Sequence, residues 1–188
     1  MYCAISGERH CKCLNPLPKI NAARVDFKAT LRKLWTDHAV YTVFVIKSII
    51  DDDGDTKFLI PRLMQNQTDI GDQLREFISD KQANELTKLL KEHISLAGEV
   101  VSLVRNKRNT TNKVEELYSN ANRVGRFLTS LNPIVLKDAS QMFEDHNTMV
   151  IEMTLARFKK DFAKEIRVYD NYYNQILMMS DMIYEAVL

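Results

Sequence analysis

The chain has 188 residues, 45% of them hydrophobic, and its 26 Lys and Arg nearly balance its 25 Asp and Glu. This length allows one domain with a sizeable core, and the balanced charge removes the main electrostatic support for broad nucleic-acid binding. The longest apolar run, VFVIKSII, contains Lys47 and is far shorter than the roughly 20 residues that span a membrane. With no apolar signal region at the N-terminus, we expect a soluble, intracellular, cytoplasmic protein without a membrane partner.

Residues 1–24 are predicted to form an N-terminal tail ahead of one domain at 25–188. The tail holds every cysteine and one histidine: Cys3, His10, Cys11 and Cys13. Four such ligands can hold zinc tetrahedrally, although the paired C-x2-C spacing is absent; an ordinary terminal segment is the other interpretation. Because the expected core has no cysteine, disulfides do not hold the main fold, as is typical of a reducing compartment.

Six amphipathic helices are predicted from apolar positions that recur at i, i+3, i+4 and i+7. In chain order we expect them at residues 25–50, 57–78, 81–106, 112–131, 138–158 and 164–187. The fifth and sixth should be nearly continuous, since no helix-breaking residue separates them. Short connections between long helices favour antiparallel neighbours, so the predicted fold is an all-α, up-and-down bundle. No internal sequence repeat is evident.

Gly71, Gly98 and Gly125 lie inside predicted helices. Glycine costs roughly 1 kcal/mol against alanine at such positions. Close approach of two helices is the usual reason to keep a glycine there, and room for a ligand is the other.

Three histidines, His38, His93 and His146, lie on the apolar stripes of three different helices. Imidazoles on three inward stripes can converge, and helical bundles build metal sites from facing helices. Neutral imidazole suits zinc, iron, copper or nickel, and three histidines plus water form a known catalytic zinc arrangement. The pattern therefore predicts these three histidines as ligands of a divalent transition metal, zinc or iron.

An acidic residue directly precedes each of these histidines: Asp37, Glu92 and Asp145. Neighbouring residues on a helix point about 100° apart, so acid and imidazole do not face the same way. Either the acid orients an imidazole of a neighbouring helix, or it faces solvent.

The sixth helix supplies candidate carboxylates for the same interior. Its predicted inner face is Ile166, Asp170, Tyr173, Leu177, Asp181 and Tyr184. Buried acids are uncommon unless they are paired or ligating. We therefore expect Asp170 or Asp181 to complete or orient the metal site; the alternative is that both only hydrogen-bond the histidines, with no metal.

Familiar motifs are absent. No P-loop, G-x-G-x-x-G or G-x-S-x-G occurs, so kinase, dehydrogenase and serine-hydrolase interpretations have no support. A ferritin-like Glu-x-x-His is missing, as is a hemerythrin-like His-x3-Glu or His-x3-His.

The strings LWTDHAVYT, QNQTDIGDQL, LLKEHI, YSNANRVGRFL and YDNYYNQILMMSDMI resemble a small family of helical-bundle proteins of bacteria and of large DNA viruses of amoebae. The resemblance covers residues 30–186 and implies a bundle with a polar interior, but no particular activity. The matching positions are Asp37, His38, Asp69, Glu92, His93, Asn120, Asn122, His146, Asp170 and Asp181. The relatives carry histidines where this chain has Tyr173 and Gln175.

Two functions therefore stay open. The first is a bundle with a metal-binding His/Asp interior, which would use metal-activated water if it is catalytic. The second is a non-enzymatic structural or interaction protein, virion-associated if viral, whose histidines only hydrogen-bond. Either is compatible with a protein partner or a homo-oligomer, and the sequence indicates no substrate.

Overall fold

A computed structural model describes residues 22–188 of the chain. The predicted tail ligands at positions 3, 10, 11 and 13 lie outside the described residues. The described part forms six α-helices and no strand: α1 Ala22–Asp51, α2 Thr56–Leu74, α3 Asp80–Arg105, α4 Thr111–Leu131, α5 Ala139–Phe158 and α6 Phe162–Val187. The all-α prediction is confirmed. None of these six helices combines the length and apolar composition needed to cross a membrane.

Local capping sets two of the helix starts. Ser79 accepts a hydrogen bond from the backbone N–H of Gln82, whose side chain accepts one from the Ser79 N–H, so α3 begins with a capping box. This places the end of α2 at Leu74, earlier than the predicted residue 78. Asp161 caps α6 by accepting from the backbone N–H of Lys164 at 3.0 Å.

The expectation that α5 and α6 are nearly continuous is wrong. Lys160 has a φ of 59°, in the left-handed region. The Asp161 N–H bonds the Ala156 carbonyl and the Lys160 N–H bonds the Arg157 carbonyl, both at 2.9 Å. This pair of bonds is a Schellman motif, which ends a helix through backbone geometry without requiring proline or glycine.

Helices α1, α3 and α5 form the inside of the bundle. Each helix packs against the next in the chain, α6 returns to pack against α1, and the three odd-numbered helices also contact one another. The even-numbered helices lie mainly against their odd-numbered neighbours. Each inner helix carries one of the three central histidines, so the fold itself directs them toward one another.

The bundle is an approximate threefold structural repeat of a helix pair, although no clear repeat is evident in the sequence. Each inner helix ends at a non-glycine residue in the left-handed region, fourteen residues after its histidine: Asp52, Lys107 and Lys160, with φ of 65°, 52° and 59°. One of these residues is an aspartate and two are lysines, whereas the backbone conformation is the same at all three. The repeat is therefore conserved in geometry more than in sequence.

The repeat also includes a side-chain bond between the two helices of each pair. An amide of the outer helix donates to a carbonyl four residues before the histidine of the inner helix: Asn66 to Leu34 at 2.9 Å, Asn120 to Leu89 at 3.2 Å and Gln175 to Met142 at 2.9 Å. Five residues after the amide lies a small residue: Gly71, Gly125 or Ser180. These shared bonds fix how the helices of each pair align.

Two of these small residues allow close packing of an outer helix on the next inner helix. A Cβ at Gly125 would lie 2.3 Å from the Ser140 Cα, and one at Gly71 would lie 1.9 Å from the Thr87 Oγ1. Thr87 and Ser140 each precede the histidine of their helix by six residues. Close helix approach is thus the reason for glycine at these two positions.

Candidate functional site: the histidine centre

The three inner helices bring their imidazoles together. The ring centre of His146 lies 5.7 Å from that of His38 and 5.7 Å from that of His93. All three side chains are buried, with 3% or less of each residue exposed. We call these three residues the histidine centre.

Aromatic side chains enclose the histidine centre. The ring of Tyr172, on α6, lies 5.0 Å from that of His146, and Trp35 lies 5.7 Å from His38. Phe143 contacts both His93, at 6.0 Å, and His146, at 6.1 Å. The imidazoles therefore lie in a mostly apolar environment that is closed to solvent.

His93 is held by an amide. Its Nδ1 lies 2.9 Å from Asn120 Oδ1, while Asn120 Nδ2 donates to the Leu89 carbonyl. Because Oδ1 can only accept, His93 Nδ1 is the donor, and its Nε2 carries the free lone pair of the neutral ring.

His38 lies beside an amide nitrogen. Gln67 Nε2 lies 3.2 Å from His38 Nδ1, and it lies closer to the Leu63 carbonyl and to Asn66 Oδ1, at 2.9 and 3.0 Å. The two shorter bonds use both hydrogens of this amide nitrogen, so either tautomer of the neutral His38 ring is compatible with the contact.

His146 lacks a hydrogen-bond partner at Nδ1 within residues 22–188, and so does Gln175 at Oε1. Gln175 is the repeat equivalent of Asn120, which does bond its histidine. Other buried polar atoms in this part of the molecule have no well-formed hydrogen bond either: Trp35 Nε1, Thr42 Oγ1, Gln67 Oε1, Asn147 Oδ1 and the Tyr172 hydroxyl. Such groups are uncommon in native cores. The interior therefore contains more buried polar atoms than its hydrogen bonds satisfy.

Burial keeps all three imidazoles neutral. Burial, together with the nearby His93, lowers the pKa of His38 to about 3. Burial also lowers the pKa of His93 to about 4, against the raising effect of its bond to Asn120. The pKa of His146 is likewise lowered, first by burial and then by His93 and His38. Neutral imidazole is the form that accepts hydrogen bonds and binds metals.

The three acids that precede the histidines face away from them. Asp37 pairs with Lys33 at 2.7 Å and with Arg62 at 3.5 Å. Glu92 pairs with Arg123 of α4. Asp145 is exposed and accepts a bond of 2.9 Å from Gln141. The structure therefore supports the second interpretation of these acids, in which they face outward and do not orient an imidazole of a neighbouring helix.

The predicted inner face of α6 is wrong. The buried residues of α6 are Val168, Tyr172, Ile176, Met179, Ser180 and Ile183. Asp170 is exposed, and Ile166 is 61% exposed. Asp181 lies at the boundary with α1, where it pairs with Arg32 and, at 3.5 Å, with Lys28.

The cations of α1 explain the position of Asp181. Its hydrogen bond to Arg32 is the main reason that the pKa of the carboxyl is lowered, with Lys28 adding to the effect. The carboxylate is thus satisfied at the surface and needs no partner in the core. The structure does not bring Asp170 or Asp181 to the histidine centre.

The polar groups closest to the imidazoles are amides and hydroxyls. Among residues 22–188, no three His, Cys, Asp or Glu side chains are placed so that they could hold one metal ion as they stand. Gln67 and Tyr172 are site residues that the sequence reasoning missed. The sequence carries no local signal for these two residues, because only the packing of α2 and α6 against the inner helices brings them to the histidines.

Comparison with protein-family models, curated proteins and solved structures finds no match to this chain. The resemblance to the bundle family of bacteria and amoebal viruses therefore stays a prediction. What the site can do follows from its own geometry.

Proposed function

We propose that the chain is a non-enzymatic structural or interaction protein whose central histidines act as neutral hydrogen-bonding groups of the core. The observation that carries this proposal is the chain of bonds from His93 Nδ1 to Asn120 and on to the Leu89 carbonyl. It joins α3 to α4 through uncharged groups only. A satisfied buried polar network of this kind specifies one arrangement of helices.

The surroundings of His38 support the same role. Its Nδ1 lies 3.2 Å from the uncharged amide nitrogen of Gln67, on the neighbouring helix α2. Asp37 and Glu92, which precede two of the histidines, are held in ion pairs that face away from them. In this proposal, the imidazoles stabilise the scaffold and the surface makes the contacts.

A metal centre is the second candidate, and the convergence of the three rings favours it. Two imidazoles bound to one zinc ion through bonds of about 2.0–2.1 Å have ring centres about 5 Å apart. The separations of 5.7 Å are near that spacing, and all three rings are neutral. Zinc or iron bound by His38, His93 and His146 would use one lone pair of each neutral ring, and ligation through His38 Nδ1 would displace Gln67.

Metal analysis of the natively purified full-length chain separates the two candidates. We expect less than stoichiometric metal and no change in melting temperature with added zinc or chelator. One equivalent of zinc or iron, lost in each of His38→Gln, His93→Gln and His146→Gln, would instead establish the metal centre. Asp181→Asn is the matched surface control and should not alter metal content.

The cysteine-containing tail requires its own control in this experiment. A Cys11→Ser, Cys13→Ser variant of the full chain is measured in parallel with His93→Gln. Zinc that is lost only in the cysteine variant belongs to the tail and leaves the proposal for the histidines intact. Light scattering of the same samples measures their mass in solution and so tests whether the chain forms a homo-oligomer.

A further inference from the structure

A cavity of about 590 Å³ lies between the C-terminal halves of α1 and α3 and the N-terminal half of α2. Its lining includes Thr42, Ala97 and Val150. Each of these follows a histidine of the centre by four residues, which is about one helical turn. The cavity therefore extends from just beyond the histidine centre toward the mouth.

The wall of the cavity is mainly aliphatic. Its side chains include Val45, Ile46, Ile49, Leu63, Ile94 and Val101, from three helices. A volume of this size with a mostly apolar wall is typical of small-molecule sites. Seven of the nineteen lining residues carry polar side chains, among them Ser95, Ser102 and Asn106, and the others are apolar or glycine. Such a lining suits a hydrocarbon chain that ends in a polar head group.

Gly98 gives the cavity part of its width. It lies inside α3 and lines the cavity, and a Cβ built on it meets nothing within 4 Å. Gly71 and Gly125 differ, since a Cβ there would overlap a neighbouring helix. Close packing does not explain glycine at position 98, whereas an open cavity does.

Cationic groups stand at the mouth of the cavity. Lys113 bonds Glu99 at 3.0 Å and Glu116 at 2.7 Å, so its charge is already balanced. Arg108 also lines the mouth, and its guanidinium forms no ion pair with any residue between 22 and 188. An exposed guanidinium beside an apolar wall is complementary to a carboxylate on a hydrocarbon chain.

We propose that this cavity binds an unbranched long-chain carboxylic acid, with the chain against the aliphatic wall and the carboxylate at Arg108. The proposal goes beyond the structural or interaction role proposed above. It stands on the cavity and not on the histidines, so metal content and acid binding are tested separately. Affinity should rise about fourfold for each methylene group added, until the cavity is filled.

Fluorescence titration of the full-length chain with cis-parinaric acid tests the cavity. We expect saturable binding of one acid per chain. Gly98→Leu extends a side chain from a position where a Cβ meets nothing within 4 Å, and it should weaken binding at least tenfold. Lys88→Leu adds the same side chain at an exposed position of α3 and should leave binding unchanged.

Competition with palmitate and with hexadecanol tests the head group. Arg108→Gln should weaken the binding of palmitate about tenfold and leave the binding of hexadecanol unchanged. Lys88→Gln should leave the affinity for both compounds unchanged. Absence of saturable binding, or a Gly98→Leu chain that melts cooperatively and binds as the wild type does, would overturn the proposal. Equal affinity for the acid and the alcohol in both wild type and Arg108→Gln would overturn the assigned ligand class.

Discussion

His93 and Asn120 are joined by a buried hydrogen bond of 2.9 Å, and Asn120 bonds the carbonyl four residues before that histidine. One amide thus fixes both the imidazole and the backbone of α3 from the neighbouring helix. The same backbone contact recurs in all three helix pairs. Loss of this amide should therefore affect both the stability and the alignment of the pair.

The first prediction concerns the coupling between these two residues. Asn120→Leu leaves the imidazole Nδ1–H of His93 buried without a partner, which should cost about 1–3 kcal/mol. His93→Leu combined with Asn120→Leu should cost about 1–2 kcal/mol less than the sum of the single changes. Urea unfolding of the four proteins measures this. Asn112→Leu, exposed in the same helix, is the control, and additive single effects would contradict the prediction.

The second prediction is a loss of stability in mild acid. The pKa values of His38 and His93, about 3 and about 4 in the folded chain, lie below the ordinary value of 6.5. The unfolded chain therefore takes up more protons as pH falls, and stability that is complete above pH 6.5 is lost toward pH 4. Each such histidine should contribute up to about 1.4 kcal/mol per pH unit.

Urea unfolding at several pH values between 7 and 5 measures this dependence. The paired carboxyl of Asp181 has a lowered pKa, so its own contribution is lost only near and below its ordinary value of 3.8 and does not enter this range. His38→Gln removes one group that takes up a proton on unfolding. The free energy of unfolding should therefore depend less steeply on pH, by the contribution of one proton. A free energy of unfolding that stays constant from pH 7 to pH 5 would rule out buried neutral histidines.

The third prediction is that two helix glycines respond to alanine with opposite signs. At Gly125 the new Cβ would overlap backbone atoms of Ser140, so Gly125→Ala should cost more than about 2 kcal/mol, in line with overpacked cores. At Gly98 nothing is in the way, and Gly98→Ala should stabilise α3 by up to about 1 kcal/mol. Thermal unfolding of both variants is the measurement, and effects of the same sign would refute the packing described for Gly125.

The fourth prediction concerns the turn between α5 and α6. Lys160 holds a left-handed backbone conformation, which costs an L-residue about 1–2 kcal/mol. Lys160→Gly should therefore raise the free energy of unfolding by about 1 kcal/mol, since glycine adopts this conformation readily. Lys159, with a φ of −82°, is the matched control, and Lys159→Gly should not stabilise the chain.

Local periodicity was sufficient to predict the helices and the positions of the histidines. Apolar residues at helical spacing gave six helices close to their observed limits, because an amphipathic helix is defined by residues only three or four apart. The same spacing placed His38, His93 and His146 on buried stripes, and all three are buried. These features depend on short stretches of chain.

Which residues surround the histidines is decided by contacts between parts of the chain that are distant in sequence, so local periodicity did not predict them. Asp181 lies at the boundary between α6 and α1 because Arg32, on α1, pairs with its carboxylate there. Gln67 and Tyr172 enter the site because α2 and α6 pack against inner helices that carry His38 and His146. The helix pattern of α6 alone leaves open which of two neighbouring faces is buried.

The sequence by itself determined an all-α chain with three buried imidazoles. Only the tertiary structure decided that the imidazoles converge, that amides rather than acids hold two of them, and that three helix pairs repeat. The repeat was not evident in the sequence because only a few of its positions keep a side-chain type, whereas Asp52, Lys107 and Lys160 all share a left-handed backbone conformation. Side-chain chemistry is encoded residue by residue, whereas the partner of a buried polar group is set by the packing of whole helices.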